Sequence, residues 1–334
     1  MTDATANLAT RYLGLQLPSP IVVGSSGLTA TSEGVRACAE AGAGAVVLKS
    51  LFEEQIAAEV GRIQAESEHP YYHPEAAEYI AAYGTENAVS EYLRLIETAK
   101  GAVAIPVIAS ISCATPKGWV KFARQIEAAG ADALELNVFV PPAVRDRTGA
   151  QNEKVYFDVL AAVRKQVSLP IAMKLGPYFS SISDTVTRLC ARGAAGVVLF
   201  NRFYAPDLDI ENFQVVAGPA LSAPEEMHLT LRTVAQLAGT FEGDLAASTG
   251  IHDGAAVVKQ LLAGATVVQV ASALYRHQVG YLATMHADLR GWMARKHFAS
   301  VGAFRAKMKQ QGWPDGEAYD RVQFMKRSLE AERI

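Results

Sequence analysis

Short apolar runs rich in Val, Ile and Leu recur along the chain, each followed by a polar stretch and then by a segment of helical period. The runs fall at residues 20–26, 45–51, 105–112, 132–138, 169–175, 196–201, 244–249 and 266–272. They are continuous rather than alternating, the pattern of strands buried on both faces. Helical stretches lie between them at residues 32–41, 86–100, 117–129, 153–167, 183–192, 225–238 and 254–263, and an eighth begins at Leu274. Four of these helices run into Gly42, Gly130, Gly193 or Gly264, each followed by Ala. A glycine just past a helix end takes the left-handed conformation without a Cβ penalty and releases the chain into the next strand. Eight strands with eight crossover helices predict an α/β fold of the (β/α)8 TIM-barrel type, with an open doubly wound sheet as the alternative.

Residues 9–15 and 16–18 read as a short N-terminal hairpin across the lower end of the barrel. The stretch 53–84, which contains His69-Pro70-Tyr71-Tyr72-His73-Pro74, reads as a long βα loop after strand 2. Such length suits a lid or an interface. The whole chain reads as one domain, with the barrel over about residues 20–290 and a C-terminal helical tail over 291–334.

Composition narrows the function classes. Half of the 334 residues are hydrophobic, which excludes a disordered chain. A net charge of −3 and a pI near 6.2 predict no attraction to nucleic acid or anionic membrane. Cys38, Cys113 and Cys190 are an odd set with no C-x-x-C pair, so the expectation is a reduced, cytoplasmic protein without an iron–sulfur cluster of its own. The first ten residues have neither a basic nor an apolar region and no apolar run reaches bilayer length, so neither a signal peptide nor a membrane span is expected. The seven histidines lack the spacing of a metal set, so no metal is expected.

The C-terminal strand ends of such a barrel carry its active site, and here they carry polar residues: Ser25 and Ser26, Lys49 and Ser50, Ser112 and Cys113, Glu135 and Asn137, Lys174, Asn201 and Arg202, Ser248 to Gly250, Ala271 and Ser272. Lys49 and Lys174 each follow an apolar run, where an ammonium is costly unless an anion meets it. Two such lysines at one mouth ask for a ligand with delocalised negative charge. Small residues at the last two strand ends, Thr249, Gly250, Ala271 and Ser272, suit a phosphate. Glu135, the one acidic residue within a strand end, is too little for paired-carboxylate glycoside chemistry.

Six runs in register resemble the dihydroorotate dehydrogenases, their cytosolic branch most closely: PIVVGSSGLT (20–29), AGAVVLKSLFEEQ (43–55), LELN (134–137), MKLGPYF (173–179), STGIHDG (248–254) and AGATVVQVASAL (263–274). SVGAFRAKMK (300–309) continues the likeness past the last barrel helix. The resemblance implies an FMN-containing barrel, an oxidoreductase of pyrimidine biosynthesis acting on dihydroorotate or a related reducible compound, and a homodimer with a possible separate electron-transfer partner. It places Ser25, Ser26 and Gly27 against the flavin, Lys49 and Ser50 beside its ring, and Lys174 at the N1–C2 carbonyl edge. It matches Asn137 and Asn201 to asparagines that contact flavin or substrate and Gly218 to a flavin-contacting glycine turn. Thr249, Gly250, Ala271 and Ser272 fall on its phosphate turns.

The departures are concentrated in the substrate half. The family's Asn is followed by a Cys or Ser that acts as general base and then by Pro-Asn; here Asn137 leads to Val140, with Pro142 in place of the second Asn. The Asn-containing loop before the second helix is replaced by Tyr79 to Gly84. Cys113, at the end of a barrel strand, is the first candidate for a substitute base, ahead of Ser112, Tyr178, Tyr204 and His73, and stands with Lys49 and Asn137 as the expected catalytic set. Two other readings remain: a flavoprotein that only passes electrons to a partner, and a phosphate-substrate barrel without flavin.

Overall fold

Runs dominated by β-branched residues favour extended backbone, and in the computed structural model they become the staves of a closed barrel. The structure describes residues 6–53, 74–113, 116–143, 145–202, 206–309 and 325, without the side chains of 74–87 and 116–117. An antiparallel hairpin comes first, β1 (Thr10–Tyr12) with β2 (Leu15–Leu17). The barrel strands are β3 (Ile21–Val23), β4 (Ala45–Val47) continued by β5 (Leu51–Phe52), β6 (Val107–Ser112), β7 (Ala133–Asn137), β8 (Ile171–Leu175), β9 (Gly196–Leu199), β12 (Asp244–Ser248) and β13 (Val267–Val270). All pair in parallel, β13 returns to β3 with Val268 beside Ile21, and β4 meets β6 with Val46 beside Val107. That closure excludes the open sheet.

The helices outside are α1 (Ser32–Glu40), α2 (Pro74–Ala102), α3 (Pro116–Ala128), α4 (Gly149–Arg164), α5 (Ile182–Ala191), α6 (Met227–Leu237), α7 (Gly254–Ala263), α8 (Ser272–His277) and α9 (Tyr281–Arg295). Side-chain caps mark several starts: Thr31 accepts from Gly34 N, Ser181 from Asp184 N and Asp253 from Ala256 N, each satisfying an orphan amide of the first turn. The four helix-terminal glycines have φ between +88° and +127°.

Along the staves the apolar runs hide a two-residue alternation. Leu134 and Leu136 of β7 pack outward against the helices, whereas Ala133, Glu135 and Asn137 face in; Ala172 and Lys174 of β8 face in between Ile171, Met173 and Leu175. The bottom of the interior is small and apolar (Val22, Ala45, Ala133, Ala172, Ala246), and Tyr12, Leu13 and Leu17 from the hairpin plug it. The polar inward positions are therefore stacked toward the C-terminal ends.

One expectation is corrected and one element is new. Helix α2 begins at Pro74, so the loop expected over 53–84 is helical in its last third, and its remainder, with His73, lies outside the described residues. A second antiparallel hairpin, β10 (Pro206–Asp209) with β11 (Gln214–Ala217), stands between β9 and α6 and had no sequence forecast. Leu208, Ile210, Phe213 and Val215 are exposed on it, so no buried face gives it a readable apolar pattern. Among the described residues no helix is long and apolar enough to cross a membrane, and no cluster of His, Cys, Asp and Glu could hold a metal ion.

Candidate functional site

The strand ends converge on a cavity of about 280 Å³. Of the residues singled out from the sequence, Ser25, Ser26, Lys174, Asn201, Thr249, Gly250, Ala271 and Ser272 line it. Others support this lining from behind. The Ser50 hydroxyl lies 3.0 Å from that of Ser25 and 2.7 Å from that of Ser110, and the Asn201 amide donates to Asn137 Oδ1 at 2.9 Å. Gly27 is exposed beside the Tyr275 hydroxyl, and Gly218 is half-buried in the segment after β11, outside the lining. Cys113 is half-buried and packs against the hydrophobic core.

The two lysines part company. Lys49 is exposed at its strand end, so water already solvates its ammonium. Lys174 is 7 % exposed and finds an anion within the protein: Glu135 Oε1 lies 3.3 Å from its Nζ. Gln269 joins them, donating to Glu135 Oε2 at 2.6 Å and accepting from Lys174 at 3.4 Å. The expectation that both lysines need an external anion is thereby corrected. Glu135 was read only as an isolated acid, and Gln269 was not singled out at all. Their signal was the spacing of polar residues within apolar strands, Glu135 between two leucines and Gln269 between valines.

Elsewhere in the same lining the backbone is unusual. Thr249 and Gly250 both have φ +74°, a conformation that costs a threonine on the order of 1 kcal/mol or more. A Cβ at Gly250 would collide with the Met227 backbone. Successive backbone amides in a turn can line an anion-binding concavity, and here the Gly250 amide is engaged within the protein by Ser222. Ser222, which the sequence reading missed, ties this part of the lining together. Its hydroxyl accepts from Gly250 N at 3.3 Å and lies 3.1 Å from His252 Nε2, while its N–H donates to Ser272 Oγ at 3.0 Å. Burial first, and the Arg276 charge second, push the His252 pKa below its ordinary value. Ser222 lies in a loop far along the chain from its partners and had no motif to mark it.

Arg202, also in the lining, is fixed by Glu226 at 2.9 Å and by the carbonyls of Pro219 and Ala220. Burial works against the Glu226 carboxylate, but the hydrogen bonds from Arg202 and Ala223 and the Arg202 charge outweigh it and hold its pKa below the usual value. Beyond β7 the chain turns away from polar duty. Val140 is buried at 7 % exposure in the hydrophobic core, Phe139 is exposed, and Pro142 is exposed without an N–H to give. Of the substitute bases, Ser112, Cys113 and Tyr178 lie outside the cavity lining, while Tyr204 and His73 lie outside the described residues.

This lining, with a buried paired lysine and a positive-φ turn, stands at the mouth of a barrel whose relatives can be named. Residues 7–293 match the family described as dihydroorotate dehydrogenase. The chain is 30 % identical over 296 residues to a "dihydroorotate dehydrogenase B (NAD(+)), catalytic subunit" of Methanosarcina acetivorans, covering 86 % of this chain and 92 % of that one. Proteins of the same name from Methanocella arvoryzae (29 % over 294 residues, 85 % and 92 % covered) and Thermoplasma volcanium (26 % over 306 residues, 89 % and 96 % covered) are also similar. The match spans the barrel from its plugging hairpin to α9, and on that extent the chain belongs to the dihydroorotate dehydrogenase family and is an oxidoreductase of that type.

Proposed function

We propose that the mouth binds FMN and that the protein is an FMN-dependent oxidoreductase whose substrate is a small reducible compound other than dihydroorotate. The observation that carries this reading is the presence of a buried cation, Lys174, and a left-handed turn at Thr249–Gly250 in the lining of one cavity. The donor chemistry suits a ligand with a phosphate at one end and an electron-accepting ring at the other. Ser26 Oγ is buried at the cavity wall with no hydrogen-bond partner among the described residues, a polar atom of the kind a bound group would satisfy. Gly250, Ala271 and Ser272 would hold the phosphate; Ser25, Ser26, Lys174 and Asn201 would hold the ring, with Ser50 and Asn137 behind them. Lys49 and Gly27 lie at the edge of that set. FMN, when bound, supplies the two-electron acceptor that the fold's reaction class requires.

Against dihydroorotate stands the loop after β7. Oxidation of that compound needs a group to remove a proton, and the side chain at 140 is a valine in the core. A missing general base costs roughly 10²–10⁴-fold in rate. Loss of the hydrogen-bonding side chain at Pro142 lowers recognition further. The printed names of the relatives include "catalytic subunit", which supports a separate electron-transfer partner for this chain; a homodimer follows from the family likeness alone.

Purified protein should carry about one FMN per chain and bind FMN more tightly than riboflavin. Anaerobic stopped-flow mixing with dihydroorotate should reduce the flavin slowly or not at all. Protein that is colourless and cannot be reconstituted would sink the cofactor assignment. Rapid reduction would sink the substrate assignment and leave the cofactor standing.

A further inference from the structure

Glu135 is the most deeply buried carboxylate at the barrel mouth, 1 % exposed, and the reading of the mouth as an FMN site gives it no task. Stability alone does not call for it. A buried ion pair replaced by apolar residues of similar volume is commonly no loss. The register of β7 on β8 sets Asn137 beside Lys174 and Glu135 beside Ala172, so Glu135 lies one inward position deeper than the lysine. Lys174 and Gln269 line the cavity; Glu135 does not. Its Oε2 takes a short bond from the Gln269 amide, whereas its Oε1 has no hydrogen bond among the described residues and faces the Lys174 ammonium at 3.3 Å. Gln269 closes the ring by accepting from Lys174 at 3.4 Å. The carboxylate charge is also felt elsewhere in the interior: after burial, it contributes to raising the phenol pKa values of Tyr12 and Tyr92.

We propose that Glu135, oriented by Gln269, is a positioning residue that sets how much of the Lys174 charge reaches the cofactor in the mouth, and thereby sets the cofactor's midpoint potential. The argument is electrostatic. A carboxylate behind an ammonium turns a point charge into a dipole whose positive end faces the cavity, and the field at the front falls accordingly. Two-electron reduction adds negative charge to FMN, so whatever weakens the cation at the cavity wall weakens the reduced form more than the oxidised one. Glu135 therefore holds the potential lower than Lys174 alone would place it.

This inference rests on the FMN reading, and the experiment separates the two. Wild type and Glu135→Gln are loaded with FMN, and each is measured for its affinity for oxidised FMN and for its midpoint potential against a redox dye. Glu135→Gln should favour the reduced form about tenfold more than wild type does, a rise of about 30 mV for a two-electron couple. Affinity for oxidised FMN should change less. Should that variant fold poorly, Glu135→Asp keeps the charge but draws it back by one methylene, and a smaller rise is expected. Wild type that binds no FMN overturns the cofactor reading and this inference with it. With FMN bound, an unchanged or lowered potential in both variants overturns the inference alone, as does an equal loss of affinity in both redox states, the mark of a merely structural carboxylate.

Discussion

On the side of the mouth built by the inward side chains of β7, β8 and β13 and by the turn after β12, the polar side chains are buried and paired with one another, and the backbone is held in a strained left-handed turn. On the side that follows β7, the corresponding stretch offers a valine folded into the core, an exposed phenylalanine and two prolines. The first side depends on backbone shape and on charges that satisfy each other across three strands, so it is preformed. The second is a loop whose side chains are apolar or proline and offer no proton acceptor. On the proposed reading, holding a cofactor and transforming a substrate are physically separable tasks at one barrel mouth.

The largest blow to the paired side should come from Lys174→Ala. It leaves the Glu135 carboxylate buried without its counter-charge, and losing one partner of a buried pair costs about 3–5 kcal/mol. Urea denaturation measures this, and in flavin-loaded protein the midpoint potential should fall as well. Adding Glu135→Gln to that variant should restore much of the stability. Stability equal to wild type in Lys174→Ala would show that the pair is open to water.

Gly250→Ala attacks the backbone instead. The left-handed φ and the collision with Met227 together cost about 1–3 kcal/mol. Preference for FMN over riboflavin should shrink, as isothermal titration with both ligands would report. An undiminished preference would move the phosphate away from this turn.

Val140→Cys probes the bare side. The residue is buried among apolar neighbours, so a thiol of similar volume should cost less than about 1.5 kcal/mol. Facing the core, it should speed flavin reduction by dihydroorotate less than about tenfold, well short of a general base. A gain of two orders of magnitude would mean that this loop turns its side chains toward the cavity in the working enzyme, and the contrast between the two sides would narrow to one residue.

Lys49→Ala should do least. Its side chain is exposed, so folding stability should stay within about 0.5 kcal/mol, and flavin affinity should suffer less than in Lys174→Ala. A larger loss of flavin than in Lys174→Ala would reverse the ranking of the two lysines.

The chain's own pattern determined the eight staves, their crossover helices, the left-handed glycines at helix ends and most of the cavity lining, because these depend on local periodicity, on φ, and on which residue ends each strand. It could not tell Lys49 from Lys174. Both end an apolar run, and only the closure of the barrel decides that one meets water and the other meets Glu135, a residue on a different strand. Gln269 and Ser222 stayed hidden for the same reason, since their partners are 134, 95, 50 and 28 residues away in sequence. The β10–β11 hairpin was missed because it buries no face and so leaves no alternation to read. Val140 looked like a lost base at the site; its place in the core was settled by packing, because an apolar side chain in a loop gains more from the barrel wall than from an aqueous mouth.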